Sequence, residues 1–317
     1  MVLQTEAEAF WYLPENLTAE QKAALESFKK HLTDEKLLLA DHDDDCTLLR
    51  FLKARQWHQE PATLMYKNMV EWRAREKVDE LYMDYEFPEF QELIEFYPHF
   101  YHKLDKFGRP VYIELLGQTD CTKMLTVASQ ERIMKYHIWT WERLKRLLFP
   151  ACSRLAARPV MACTVVIDLA GLSLKNFTLT TKHLLGEVAR IDQDYYPEHL
   201  GAMFIINTPY VFKVIWAVVN PLLEERTRRK ITVLGYDYQE TLKQAIPEDN
   251  LPTFLGGKSE CAGAKHSSMG PWQQVEPCKS FSWVPVGGKR LPSGALSSLL
   301  SGGSLPEPGA PSPTKAA

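Results

Sequence analysis

Val160-Met-Ala-Cys-Thr-Val-Val-Ile167 runs eight residues without a charge before Asp168 closes it. A strand with one wet face alternates apolar and polar side chains. A run this uniform predicts a strand covered on both faces. Met203 to Ile206 and Ile231 to Leu234 repeat the pattern, and Val111 to Leu116 precedes it after the turn string Asp105-Lys-Phe-Gly108. Helical stretches fall between these strands, over Ser129 to Phe149, Leu179 to Ile191 and the segment after Pro209. Apolar strands separated by helices predict an α/β fold with a mostly parallel sheet and right-handed crossovers.

Upstream of the sheet the first hundred residues read as helices, with no β-branched alternation before Val111. Thr18 and Gln21 are spaced as a capping box, and Leu25, Phe28 and Leu32 follow on one helical face. Asp41 to Asp45 stand directly before Leu48, Leu49, Phe51 and Leu52, where carboxylates favour a helix start. Met65, Met69 and Trp72 mark a further apolar stripe. At the other end, 18 of the 33 residues from Pro285 to Ala317 are Pro, Gly or Ser, too polar to offset their ordering entropy, which predicts a disordered tail. The expected organisation is a helical region over 1–88, an α/β domain over 89–273 and the tail over 274–317.

The chain has 317 residues, 45% of them apolar, and a net charge of −3. That charge supplies no global basic field for nucleic acid. No run of about 18 apolar residues predicts a transmembrane helix. The N-terminal stretch carries Glu6 and Glu8 and no basic region, so no secretory signal is expected. Six scattered cysteines without a CxxC pair suit reduced thiols in the cytosol.

Enzyme motifs are poorly matched. There is no GxGxxG and no GxxxxGK[ST]. Gly171-Leu-Ser173 is half a nucleophile elbow, with Lys175 where the second glycine belongs. Cys152 and Arg158 have the spacing of a phosphate-cradling cysteine loop, but a helix precedes them and a strand follows, the reverse of what that loop needs. An EF-hand counted from Asp41 would need Gly and Glu at Cys46 and Leu52. His99 and His102 have no further metal ligands nearby in sequence.

Pro209 to Leu223 (PYVFKVIWAVVNPLL) has Lys213 as its one charge in fifteen residues. A helix apolar all round is either buried or in contact with lipid, and this one is too short to span a bilayer. Glu224-Glu-Arg-Thr-Arg-Arg-Lys230 follows, which suits an anionic membrane surface; a solvated charged turn is the competing reading and the one favoured for Arg226 alone.

Four strings, Leu48-Leu-Arg-Phe-Leu-Lys-Ala-Arg55, His102-Lys-Leu-Asp-Lys-Phe-Gly-Arg-Pro-Val-Tyr112, Tyr195-Tyr-Pro-Glu198 and Leu251-Pro-Thr-Phe-Leu-Gly-Gly257, occur in the order found in one family. From about Leu17 to Trp272 the chain resembles the CRAL-TRIO lipid-binding proteins, specifically their Sec-fourteen-like phosphatidylinositol/phosphatidylcholine transfer branch. The resemblance implies a helical N-terminal region before a sheet that floors a lipid cavity closed by a gate helix. It places Arg55, Glu198, Thr227 and Lys230 at a phosphatidylinositol headgroup, and Phe212, Ile215, Trp216, Val219 and Leu222 on the gate. The chemistry is coherent, since Arg55 suits a phosphate and Glu198 suits inositol hydroxyls. A structural ion pair between Arg55 and Glu198 is the competing reading. Gln56 and His199 stand where the best-known members often carry lysine and arginine.

For a second lipid, the resemblance points to Tyr101, Tyr112, Trp141 and Thr164, with Ala162 in place of a serine and Trp141 in place of a tyrosine. Lost hydroxyls leave phosphatidylcholine, another phospholipid or a sterol open there. The implied activity is non-enzymatic lipid exchange, with no cofactor beyond bound phospholipid. Membrane surfaces are the implied partners, with presentation of lipid to lipid kinases. A monomeric cytoplasmic protein that visits Golgi or other endomembranes is expected. Two alternatives are a carrier of a tocopherol, retinoid or sterol, and a hydrolase built on Cys152 or Ser173.

Overall fold

The computed structural model describes residues 4–173, 175, 178–261 and 267–274. Cys278 and all but the first residue of the expected tail lie outside them.

Three helices build the N-terminal region: α1 (Ala19–Asp34), α2 (Asp45–Ala54) and α3 (Gln59–Glu76). Thr18 and Gln21 cap α1 reciprocally, as their spacing predicts. Asp44 caps α2, accepting from the Thr47 amide at 3.0 Å and the Thr47 hydroxyl at 2.6 Å. Leu25, Phe28 and Leu32 of α1 share a core with Leu48, Leu49, Phe51 and Leu52 of α2 and Met65, Tyr66 and Met69 of α3. Phe10 and Tyr12 from the N-terminal segment complete it. Asp44→Ala removes both cap bonds and is expected to lower unfolding free energy by about 1 kcal/mol, measurable by denaturant titration. An unchanged midpoint would refute the cap's contribution.

Short helices α4 (Val78–Asp84) and α5 (Phe90–Phe96) lead into the sheet. Its strands are β1 (His99–Leu104), β2 (Pro110–Glu114), β3 (Cys163–Asp168), β4 (Leu200–Ile206) and β5 (Ile231–Val233), lying side by side in chain order. β1 pairs antiparallel with β2, and every later pair is parallel. Sequence reading missed β1. His-Phe-Tyr-His-Lys-Leu has no β-branched residue, and it becomes a strand through its hairpin with β2. Asp105 builds that turn, its carboxylate accepting from the amides of Phe107 and Arg109 at 2.8 Å each, while Gly108 supplies a φ of +78°.

The crossover from β2 to β3 carries α6 (Cys121–Val127), α7 (Gln130–Arg143) and α8 (Phe149–Ala156). The continuous helix predicted over 129–149 is interrupted by a π-helical turn at Leu144–Leu148. Pro150 follows directly; lacking an N–H and crowding the preceding turn, it disfavours regular α-helix at that point. α9 (Leu179–Tyr195) joins β3 to β4, α10 (Phe212–Val219) joins β4 to β5, and α11 (Gln239–Ala245) follows the sheet. The apolar stretch 209–223 is therefore an eight-residue helix followed by a 3₁₀ turn at Asn220–Leu222, with Pro221 ending the α geometry.

The two sheet faces differ. One carries Phe100, Val111, Ile113, Val166, Phe204 and Ile206, sealed by Leu242, Ile246, Leu251 and Leu255. The other carries Tyr101, Tyr112, Ile167 and Met203, which remain only partly buried at the centre of the sheet although α7 and α8 cover them. Central side chains that are covered yet keep accessible surface line an internal hollow.

Candidate functional site

At the N-terminal edge of β4, Glu198 adopts φ +60°, a left-handed conformation rare for a residue with a side chain. Arg50 of α2 holds it there from beneath. This buried guanidinium donates to the Glu198 carbonyl at 2.7 Å and also to the Met161 carbonyl. Arg50 thus ties the helical region to the backbone beside the sheet.

The predicted Arg55–Glu198 ion pair does not form. The Glu198 carboxylate, 2% exposed, lies 2.9 Å from Lys230 Nζ, 3.8 Å from Arg226 Nε and 4.0 Å from Lys53 Nζ. Arg55 pairs instead with Glu224 at 3.5 Å, and Glu224 is also bound by Arg226 at 2.6 Å. Thr227 stands on the same single turn, Glu225–Arg228, its amide donating to the Glu224 carbonyl at 3.0 Å. Glu198 and Lys230 thus meet directly, while Arg55 reaches the cluster through Glu224. Arg55 also lines an outward-opening cleft of about 300 Å³ with Leu64, Arg75 and Tyr195.

Sequence reading missed Lys53 and set Arg226 aside as a solvated charge. Both are half-buried at the carboxylate. Lys53 also sits 3.6 Å over the Trp11 ring. With Arg55 and Lys230, four basic side chains face the two carboxylates of Glu198 and Glu224, a surplus of positive charge. Arg226 Nη1 is buried without a hydrogen-bond partner, a spare donor in this cluster. Burial pushes the Glu198 carboxyl upward, but Lys230, Lys53 and Arg226 outweigh it and hold the group below the usual range. Burial lowers the Lys53 ammonium to about 7, with Glu198 opposing the shift and Lys230 reinforcing it.

An anion bound beside Lys53 would favour its charged form. Capture of an anionic headgroup is accordingly expected to be several-fold stronger at pH 6, where Lys53 is mostly charged, than at pH 8, where it is mostly neutral. Lys53→Met should flatten that dependence in an equilibrium vesicle-binding titration. An identical slope in the variant would remove Lys53 from the site.

Three of the four residues expected at a second lipid share the hollow's face. The Tyr101 and Tyr112 rings lie 5.1 Å apart, and Trp141 stacks on Tyr196 at 5.2 Å while donating to Asp192 at 2.7 Å. Thr164 is the exception. It is in register with Val111, on the sealed side of the sheet, and its hydroxyl donates to Asp105 at 2.7 Å. Because neighbouring residues on a strand point to opposite faces, Val165 faces the hollow and Thr164 does not. Ala162 and His199 are buried; His199 stacks on Phe149 at 5.9 Å. Gln56 is exposed.

α10 lies against the hollow's face of the sheet. Phe212 is buried against Leu169 and Ile205, with Trp216 beside Ile167, Met203 and Ile231. Ile215 is also buried, Val219 and Leu222 are partly covered, and Val214 is 61% exposed on the outer side. This short helix thus carries apolar residues on both its buried and its exposed sides.

The alternative motifs are placed as well. Cys152 is fully buried, and burial raises its thiol far from the thiolate a nucleophile needs. His99 and His102 point to opposite faces, bonded to Tyr136 and to Ser259 and Ser267 respectively. Among the described residues five cysteines are free, and no helix is long and apolar enough to cross a membrane.

The model of the CRAL/TRIO domain matches residues 95–257, and that of the CRAL/TRIO N-terminal domain matches residues 24–68. A phosphatidylinositol/phosphatidylcholine transfer protein of Arabidopsis thaliana, SFH4, is 41% identical over 82% of this chain and 43% of its own. The chain spans less than half the length of that relative and of SFH7 from the same plant, which is 39% identical over 84% of this chain and 49% of its own. The SEC14 cytosolic factor of Kluyveromyces lactis is 39% identical over 83% of this chain and 88% of its own. The crystal structure of Sfh5 shares the fold at a TM-score of 0.50 and 24% identity, over 62% of this chain and 65% of that one. The antiparallel hairpin, the parallel strands and the helical N-terminal region thus carry the sequence of a known group, and the chain belongs to the CRAL/TRIO family, in its Sec-fourteen-like branch.

Proposed function

We propose that this chain is a non-enzymatic phospholipid transfer protein. It takes up phosphatidylinositol with the acyl chains in the hollow and the headgroup at the Glu198 cluster, exchanges it for a second lipid at membrane surfaces, and presents it to lipid kinases. The observation that carries this reading is the buried Glu198 set among surplus cations, two of them, Arg226 and Lys230, on the short segment between α10 and β5. Lys53, Arg226 and Lys230 suit a phosphodiester, and Glu198 suits ring hydroxyls. A neutral ligand such as a tocopherol would leave the positive surplus unmatched, which argues against the carrier alternative. The similarity to the phosphatidylinositol/phosphatidylcholine transfer proteins SFH4 and SFH7 supports the same lipid class.

Magnitudes require the hollow. A diacyl lipid exposes on the order of 30 methylenes, so about 25 kcal/mol separates it from water. A set of polar contacts cannot replace that. An apolar interior makes exchange with the bilayer near neutral, and the headgroup contacts then choose the lipid. α10 acts as the gate in this reading, its outer side meeting the bilayer. The protein works as a monomer between the cytoplasm and endomembranes such as the Golgi. Transfer of labelled phosphatidylinositol between vesicles tests the proposal; absence of transfer by the purified full chain would refute it.

A further inference from the structure

The segment before α1 reaches the Glu198 cluster through the Trp11 ring. Lys53 Nζ lies 3.6 Å from the centre of that ring and 4.0 Å from the Glu198 carboxylate. The ammonium is therefore held between an aromatic face and a buried carboxylate.

Trp11 is fixed from several directions. Thr5 and Glu8 cap the single turn Glu6–Ala9 reciprocally. Arg109, at the start of β2, donates to the Ala9 carbonyl at 3.1 Å and to the Gln4 side chain at 2.9 Å. Phe10 is buried edge-on against Phe107, 6.0 Å away. The Tyr12 hydroxyl donates to the Pro159 carbonyl at 3.0 Å and accepts from the Met161 amide at 3.2 Å. Met161 also receives a bond from Arg50, one helical turn before Lys53 on α2. Trp57 meets the Trp11 ring edge-on at 6.5 Å. The aromatic face is thus positioned by contacts far apart in sequence, and Lys53 meets it ready-made.

The charges around Lys53 make this contact consequential. Glu198 at the edge of β4 and Glu8 on the N-terminal turn favour its ammonium form. Lys230 before β5, Arg109 on β2 and Arg50 on α2 oppose it, and Arg226 competes for Glu198 at 3.8 Å. Tryptophan offers a cation the best π face of any side chain, and the attraction grows where water is excluded. An aliphatic residue of similar bulk would keep water out just as well and return no attraction.

We infer that Trp11 is a positioning residue for the anionic headgroup: its ring holds the Lys53 ammonium against the Glu198 cluster, so that the N-terminal segment forms one wall of the headgroup site. The identity of the anion rests on the transfer reading, whereas the placing of Lys53 rests on the Trp11 contact.

The test is equilibrium capture of labelled phosphatidylinositol from phosphatidylcholine vesicles by the full chain, followed from pH 6 to pH 8. Trp11→Leu should move the midpoint of the pH dependence about half a unit to one unit toward acid, which at pH 7 is about two- to fivefold weaker capture. Trp11→Phe keeps an aromatic face and should recover most of that loss. In a Lys53→Met background Trp11→Leu should cause no further loss at pH 7, because the ring acts through the ammonium. An unmoved midpoint in Trp11→Leu overturns the inference. Equal losses for leucine and phenylalanine, or the same further loss in the Lys53→Met background, also overturn it, since Trp11 would then serve only as packing. Failure of the unaltered chain to capture phosphatidylinositol at any pH would instead strike the transfer reading.

Discussion

Glu198→Gln is expected to cut phosphatidylinositol transfer at least tenfold while transfer of the second lipid persists. The carboxylate balances Lys53, Arg226 and Lys230 at the edge of the sheet, and the amide keeps its shape but not its charge. Losing one charged hydrogen-bond partner at a buried site costs about 1.5–3 kcal/mol, roughly one to two decades in affinity. Glutamine is the informative replacement because φ at this position is +60°. Valine would add β-branched strain in the left-handed region and confuse misfolding with lost recognition. Lys230→Ala is the complementary variant; it removes the 2.9 Å contact with Glu198 and a 2.8 Å bond to the Leu200 carbonyl. Should both variants lose every lipid equally and melt early, the cluster is a structural clamp and the headgroup assignment fails.

The second large effect is expected from Trp216→Asp, which should reduce transfer of all lipids alike by tenfold or more. Trp216 packs on Phe212 at 5.5 Å and beside Ile167, Met203 and Ile231, so an aspartate there removes an aromatic contact and places a charge on the hollow's apolar rim. The matched variant is Val214→Asp. Val214 is 61% exposed, so this change leaves the packing intact and places the charge on the side proposed to meet lipid. Slowed transfer in both variants, with melting preserved in Val214→Asp, is the gate's signature. Normal transfer by Trp216→Asp would eliminate α10 as the gate.

These two experiments probe different levels of legibility. The Thr18–Gln21 cap could be read directly because it acts over three residues of chain, and the acidic run 41–45 announced a helix start, within which the structure picks Asp44 as the cap through Thr47. The apolar runs at 160–167 and 203–206 announced a covered parallel sheet for a similar reason, since composition reports coverage without naming the neighbour. β1 was invisible because His99 to Leu104 has no β-branched residue and owes its conformation to β2. The membership of the Glu198 cluster was half legible. Arg55 stands in a family string and Lys230 came with the resemblance, whereas Lys53 and Arg226 had no local signal separating them from solvated charges.

By itself, then, the chain's order of residues determined where helices begin, which segments must be covered, and that a short apolar helix precedes a charged turn. Only the tertiary structure decided that Arg50, 148 residues from Glu198, clamps its carbonyl, that Arg55 turns to Glu224, and that Thr164 faces Asp105 instead of the hollow. The physical reason is range. Caps and periodicity act within a turn or two of chain, but which side of the sheet a residue takes, and which charge it meets, depend on strand register and on helices docked from far away in sequence.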